Sequence, residues 1–268
     1  MSQNLKTLLA KTKPIIAMAH FPALPGSPHY DASNGMNKII DSIHHDIIAL
    51  QRGGVDAIMF GNEADLPYLL HVGPETVAAM AAVIGQVKSE LKIPFGVDVL
   101  WDPIAALALA KGTGACFIRE IMTSAYVSDM GMWNTNCGEM ARYRRTIDAA
   151  DVDLLFVLAA EFSSSLETRS LANIARSVVF SSAAQILCVS GPITGTSAKM
   201  DDLEAVKKAV PQVSVLSNTG VTAENVSEIL AIADGAVVGT MFKKDGITWN
   251  PVDQDRVARL MEKVNKCR

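Results

Sequence analysis

The sequence predicts a (β/α)8 TIM barrel. Three observations carry this. Eight short apolar runs alternate with segments of helical periodicity. The runs are near-continuous rather than alternating, as expected for strands covered on both faces. Polar and ionisable residues gather where those runs end. Crossover helices between strands force parallel neighbours. A doubly wound open sheet is the main alternative, and it is disfavoured because no Gly-x-Gly-x-x-Gly follows the first strand. With 268 residues, the whole chain, 1–268, is read as one barrel domain.

The first strand is read over residues 14–19, with His20 at its end; a loop punctuated by Pro22, Pro25 and Pro28 follows. Ile39, Ile43, Ile47 and Leu50 recur at helical spacing, and Gly53 suits the stop. The second strand, 55–60, runs into Asn62 and Glu63, and Pro74 opens a helix striped by Val77, Met80, Ile84 and Val87. The third strand, 93–100, carries Asp98; Asp102 before Pro103 reads as a helix cap. The fourth, 115–120, ends in Arg119 and Glu120.

Residues 122–136 then exceed the usual connection length, and with Trp133 they read as a lid that orders when ligand binds. A helix is expected over 139–149, the fifth strand over 153–160 before Glu161, and a helix over 166–180. The sixth strand, 186–189, feeds Ser190, Thr194, Gly195 and Thr196. The seventh ends at Asn218, Thr219 and Gly220, with Thr222 placed to cap the helix to residue 232. The eighth ends at Gly239 and Thr240, and 241–243 are placed to form a short extra helix. A last helix begins near Asp253.

Composition narrows the function classes. Apolar residues make up 49% and charged residues 19%, which describes a folded protein rather than a disordered one. A net charge of −4 without a basic run argues against nucleic acid. Residues 1–6 lack a secretory apolar region, and no apolar stretch is long enough for membrane insertion. Cysteines 116, 137, 188 and 267 lack paired metal spacing and read as reduced thiols, so a cytoplasmic protein is expected. A homo-oligomer is expected as well.

In a barrel, strand C-termini form the mouth that carries the site. His20 suits a general acid or base, or a histidine bonded within the rim. Glu63 and Asp98 suit an acid–base pair or a divalent cation held through oxygen; the alternative for Asp98 is an ion pair with Arg119. Strand alternation sends only one of Arg119 and Glu120 into the mouth, and Glu120 is preferred. Glu161 is placed like Glu63. The catalytic candidates are therefore His20, Glu63, Asp98, Glu120 and Glu161. Without a histidine-rich cluster no zinc is expected; no metal ligand is assigned, no cofactor is required, and a divalent cation is left open.

The loops after the seventh and eighth strands are where barrels often hold phosphate. Glycines let main-chain N–H groups approach an anion. The phosphate-binding candidates are Gly195, Thr196, Asn218, Thr219, Gly220, Gly239 and Thr240, and the ligand is a small phosphorylated metabolite. The alternative is a pair of ordinary tight βα turns.

Several motifs occur together: Ala17-Met-Ala-His20-Phe-Pro-Ala-Leu-Pro-Gly26, Pro94-Phe-Gly-Val-Asp98-Val-Leu-Trp-Asp-Pro103, Phe117-Ile-Arg-Glu120, Ser190-Gly-Pro-Ile-Thr-Gly195-Thr and Gly239-Thr-Met-Phe-Lys-Lys-Asp-Gly246. Over essentially the whole chain they resemble the BtpA family, named for a cyanobacterial photosystem I biogenesis factor. The likeness is greater to its SgcQ-like branch, from bacterial carbohydrate-utilisation gene clusters. This resemblance implies a barrel related to the ribulose-phosphate-binding barrels, with the phosphate site at Gly195, Asn218, Gly220, Gly239 and Thr240. Asn218-Thr219-Gly220 departs from the Gly-Ser-Gly-like turn of many members. The expected activity is isomerase, epimerase or aldol-type lyase chemistry on a sugar phosphate. The alternatives are hydrolysis of a nucleoside-type or phosphate-ester bond, and a non-catalytic assembly factor.

Overall fold

The computed structural model describes residues 5–10 and 13–268. Of the N-terminal stretch read above for a secretory region, residues 1–4 lie outside the described residues. In chain order the elements are α1 (Leu5–Leu9), β1 (Ile15–His20), α2 (Gly35–Arg52), β2 (Ala57–Gly61), α3 (Pro74–Val87), β3 (Phe95–Asp98), α4 (Pro103–Thr113) and β4 (Phe117–Glu120). There follow β5 (Ala125–Ser128), β6 (Gly131–Asn134), α5 (Cys137–Thr146), β7 (Asp153–Val157), β8 (Ser163–Ser165), α6 (Leu171–Ser182) and β9 (Ile186–Val189). The chain ends with α7 (Met200–Ala209), β10 (Ser214–Ser217), α8 (Val226–Ile232), β11 (Gly235–Val238) and α9 (Gln254–Asn265).

Eight parallel strands close a barrel in the order β1-β11-β10-β9-β7-β4-β3-β2. The β1–β11 pairing closes it, with Ile15 opposite Ala236 and Ala17 opposite Val238. Alternation along each strand sorts side chains between two apolar layers. Ile16, Met18, Met59, Phe117, Leu155 and Leu216 fill the lumen, joined by Leu5 of α1. Ile15, Ala17, Ile58, Val97 and Ile118 pack outward against the helices. The lumen is tight: a Cβ on Gly96 would stand 2.2 Å from the Phe117 ring.

Local chemistry sets the helix starts. The Asp102 side chain accepts from the N–H groups of Ile104 and Ala105, with Pro103 at the first helical position, as the sequence predicts. Asp253 caps α9 in the same way. Two starts differ from expectation. The helix read over 166–180 begins at Leu171 because Ser170 caps it, while 163–165 are taken by β8. Thr222 does not cap α8: Asn225 precedes that helix, and its Oδ1 accepts from the Thr222 N–H at 2.7 Å.

The segment 122–136, read as a lid, forms a hairpin. β5 pairs with β6 on one edge and with β8, from beyond β7, on the other. Its inner face is aromatic: the Trp133 ring lies 5.4 Å from Trp101 and 5.7 Å from Tyr126, and Trp133 is 3% exposed. Burying that face fixes the hairpin over the mouth. No helix among the described residues is long and apolar enough to cross a membrane.

Candidate active site at the barrel mouth

His20 closes β1 and Asp98 closes β3, while Arg119 is the penultimate residue of β4. Glu63, Glu161 and Thr194 stand in the segments after β2, β7 and β9. His20, Glu63, Arg119, Glu161 and Thr194 line one cavity of about 200 Å³. A cavity of that size suits a small ligand.

Arg119 supplies the fixed positive charge. Its guanidinium donates to Asp98 Oδ2 and, at 3.0 Å, to Asn218 Oδ1. Burial works against its charge, but Asp98, Glu161 and Glu63 hold it protonated, with its pKa raised above the usual value. Asp98 is fully buried behind this guanidinium rather than on the cavity wall, so the ion-pair alternative describes its geometry.

The preference for Glu120 at the mouth is overturned. Phe117 and Arg119 take the lumen side of β4, so alternation turns Glu120 outward, behind Asp98. Its Oε1 accepts from the Val99 N–H at 3.0 Å. Burial first, and then the Asp98 charge, push its pKa well above the carboxylate range. Glu120 Oε2 and Asp98 Oδ1 have no hydrogen-bond partner, and a proton kept on Glu120 would let one acid donate to the other.

His20 is the counterpart across the lumen, with Nε2 4.0 Å from Glu63 Oε2. Burial, then the charges of Lys243 and Arg119, lower its pKa well below the ordinary value. The ring is therefore neutral at pH 7, with a free lone pair but less basic than an ordinary imidazole. Lys243 is itself buried and paired with Asp46 at 2.7 Å. Glu161 is pushed up to about 7 by burial, against Arg119 and with Glu63. Glu63 is also raised, by burial above all. Thr194 Oγ1 reaches Glu63 Oε1 at 3.0 Å and Glu161 Oε2 at 3.2 Å.

The rest of the lining is main chain, small residues and one guanidinium. Gly195, Gly220, Gly239 and Thr240 contribute, and Arg256 reaches it from α9, held by a 2.9 Å bond from its Nε to the Met241 carbonyl. Residues 240–242 form a 3-10 turn, close to the extra helix expected over 241–243. The first N–H groups of such a turn have no acceptor within it.

Close neighbours account for two of these glycines. Gly220 has φ +63°, and a Cβ there would meet the Ser197 main-chain nitrogen at 2.0 Å. A Cβ on Gly239 would stand 3.1 Å from the His20 ring. Thr219 Oγ1 accepts from the Gly191 N–H at 2.6 Å and ties two loops together. Asn218 is occupied by Arg119 and by Ser190, its Nδ2 donating to Ser190 Oγ at 2.7 Å. Thr196 is exposed and does not line this cavity.

A family model described as the BtpA family matches residues 11–266. The chain belongs to the BtpA family. The sgc region protein SgcQ of Escherichia coli (strain K12) is 53% identical over 98% of each chain. The BtpA-family chain is also 34% identical to the uncharacterized protein PH1209 of Pyrococcus horikoshii, over 96% of this chain and 97% of that one. The photosystem I biogenesis protein BtpA of Synechocystis sp. is 29% identical over 93% of this chain and 87% of that protein.

Among solved structures, one described as native KDPGal superposes with a TM-score of 0.58 at 15% identity, covering 100% of this chain and 98% of that one. KGPDC from Streptococcus mutans gives 0.56 at 13%, covering 96% and 99%. Phosphoribosylanthranilate isomerase from Thermotoga maritima gives 0.57 at 9%, covering 94% and 98%. At these identities the likeness shows the TIM-barrel fold of this BtpA-family chain and nothing finer.

Sequence reading placed His20, Glu63 and Glu161 in the mouth, where they line one cavity, and missed Arg119 as the lumen-facing member of its pair. It also missed Arg256, because α9 was read only for its apolar stripe; its place in the first turn after the eighth-strand loop was the available signal.

Proposed function

We propose that this chain is an enzyme that moves a proton beside the carbonyl of a small phosphorylated metabolite, as a sugar-phosphate isomerase, epimerase or aldol-type lyase does. The observation that carries this reading is that two kinds of group line one cavity. Buried acid–base groups are the first kind: neutral His20, Glu63, and Glu161 at about 7. The second is Gly195, Gly220, Gly239 and Thr240 with Arg256, a set suited to phosphoryl oxygens.

General acid–base work is most efficient when the pKa lies near the working pH, which suits Glu161. Arg119 is placed to stabilise negative charge that develops on a carbonyl oxygen. A Schiff base is disfavoured because the buried Lys243 is ion-paired with Asp46 and stands off this cavity. The phosphorylated sugar named in the phosphoribosylanthranilate isomerase neighbour agrees in class with the ligand proposed.

The test is solvent exchange. The protein is incubated in deuterium oxide with individual sugar phosphates, and deuterium uptake at carbon is followed by proton NMR. The expected result is uptake into at least one of them, slowed roughly 10²–10⁴-fold in Glu161→Gln. Phosphate or base release without carbon exchange would favour hydrolysis instead and overturn this reading.

A further inference from the structure

Two acids and one hydroxyl in the mouth form an arrangement that neither the family nor its relatives assigns. Thr194 Oγ1 stands 3.0 Å from Glu63 Oε1 and 3.2 Å from Glu161 Oε2. Glu63 is 6% exposed and Glu161 4%. A hydroxyl carries one hydrogen to donate, and its oxygen accepts. Between two ionised carboxylates it satisfies one well and leaves the other facing a lone pair. With one proton added, the hydroxyl accepts from the protonated acid and donates to the ionised one, and every group is paired.

We propose that Glu63, Thr194 and Glu161 act as one acid–base unit that holds a single proton and passes it between the two carboxyls through the threonine hydroxyl. The transfer is balanced. The acid O–H bond breaks as its proton bonds to Thr194 Oγ1, and the threonine's own proton leaves for the other carboxylate. One acid becomes ionised, the other becomes neutral, and the threonine is unchanged. The use of this unit in turnover rests on the proton-transfer reading above, where it would let a proton taken at one carbon return at its neighbour. The existence of the shared proton does not rest on that reading.

The groups facing the unit come from several elements. Arg119 on β4 favours the ionised forms; Asp98 on β3 opposes them. His20 on β1 is 4.0 Å from Glu63. The Tyr68 hydroxyl donates to the Glu63 carbonyl at 2.9 Å and lies 3.4 Å from Glu63 Oε1, which orients that side chain. Burial raises both glutamates, and the Glu63 charge raises Glu161 further. Thr194 touches both carboxylates and is the carrier between them.

The test needs no ligand. The protein is labelled with glutamate carrying carbon-13 at the side-chain carboxyl. Signals are assigned with Glu63→Gln and Glu161→Gln and followed from about pH 5 to about pH 9. In the wild type, Glu63 and Glu161 should move together in a step that releases one proton. In Thr194→Val, with its folding checked by thermal melting, the two should separate, one titrating and the other not; Thr194→Ser should restore the common step. If one glutamate stayed ionised throughout in the wild type, or if Thr194→Val titrated like wild type, the shared proton would be ruled out. Failure of the deuterium experiment alone would leave this result intact, so the two proposals fail separately.

Discussion

Arg119 and Asp98, from neighbouring strands, form an ion pair buried inside the barrel, and a second Arg119 bond to Asn218 carries the tie across the lumen. Neither charge can be left alone there without a large desolvation cost. Arg119 therefore lines the candidate site with a charge that Asp98 holds in place, and removing either partner alone costs stability.

Arg119→Met should lose roughly 3–5 kcal/mol of stability, because Asp98 is left unpaired. Adding Asp98→Asn should recover part of that loss. Denaturant unfolding of the single and double variants measures both. A loss under about 1 kcal/mol would mean that water reaches the pair and that it behaves as a surface bridge.

Glu161 links stability to pH. Its folded pKa of about 7 lies above the ordinary 4.5, so the folded state binds the extra proton between those values. Stability from this group is full below the lower value and is lost as pH rises through the upper one. Glu161→Gln, permanently neutral, should melt like wild type near pH 5 and several degrees higher near pH 8. Thermal melting across that range decides it, and a parallel pair of curves would contradict the assignment.

Glu120 should behave as a structural acid. Glu120→Gln keeps a donor for Asp98 and an acceptor for the Val99 N–H, so folding and any ligand affinity should change little. Glu120→Leu leaves both unpaired and should cost about 1–3 kcal/mol. Loss of activity in a well-folded Glu120→Gln would return this residue to the catalytic set.

Most of the barrel was legible because eight apolar runs and their helix caps are local signals. Asp102 before Pro103 announces its helix in two residues. What was not legible depends on partners distant in sequence. The choice between Arg119 and Glu120 turns on a one-residue register within β4. The hairpin of β5 and β6 needs β8, some thirty residues later, for its third strand. Its length was visible, but its order comes from Trp101, Tyr126 and Trp133 meeting in space.

That aromatic cluster makes a prediction of its own. Without ligand, limited proteolysis should spare 125–134, and Trp133→Ala should open the hairpin to cleavage, since truncating such a residue costs about 3–5 kcal/mol. Ready cleavage of the wild type that stops when a ligand is added would contradict this and support the lid reading.

The measurement that bears most directly on the central claim is calorimetric titration of matched ligands, each sugar phosphate beside its unphosphorylated sugar. At least one phosphorylated member should bind roughly tenfold or more tightly than its partner, a difference of about 1.4 kcal/mol. Arg256→Gln should remove most of that advantage and leave the sugar alone unaffected, since Arg256 belongs to the set assigned to the phosphoryl group. Gly239→Val is less suitable, because its side chain would press on His20. Equal affinity for both members of every pair, or an advantage untouched by Arg256→Gln, would contradict a phosphoryl site between these loops.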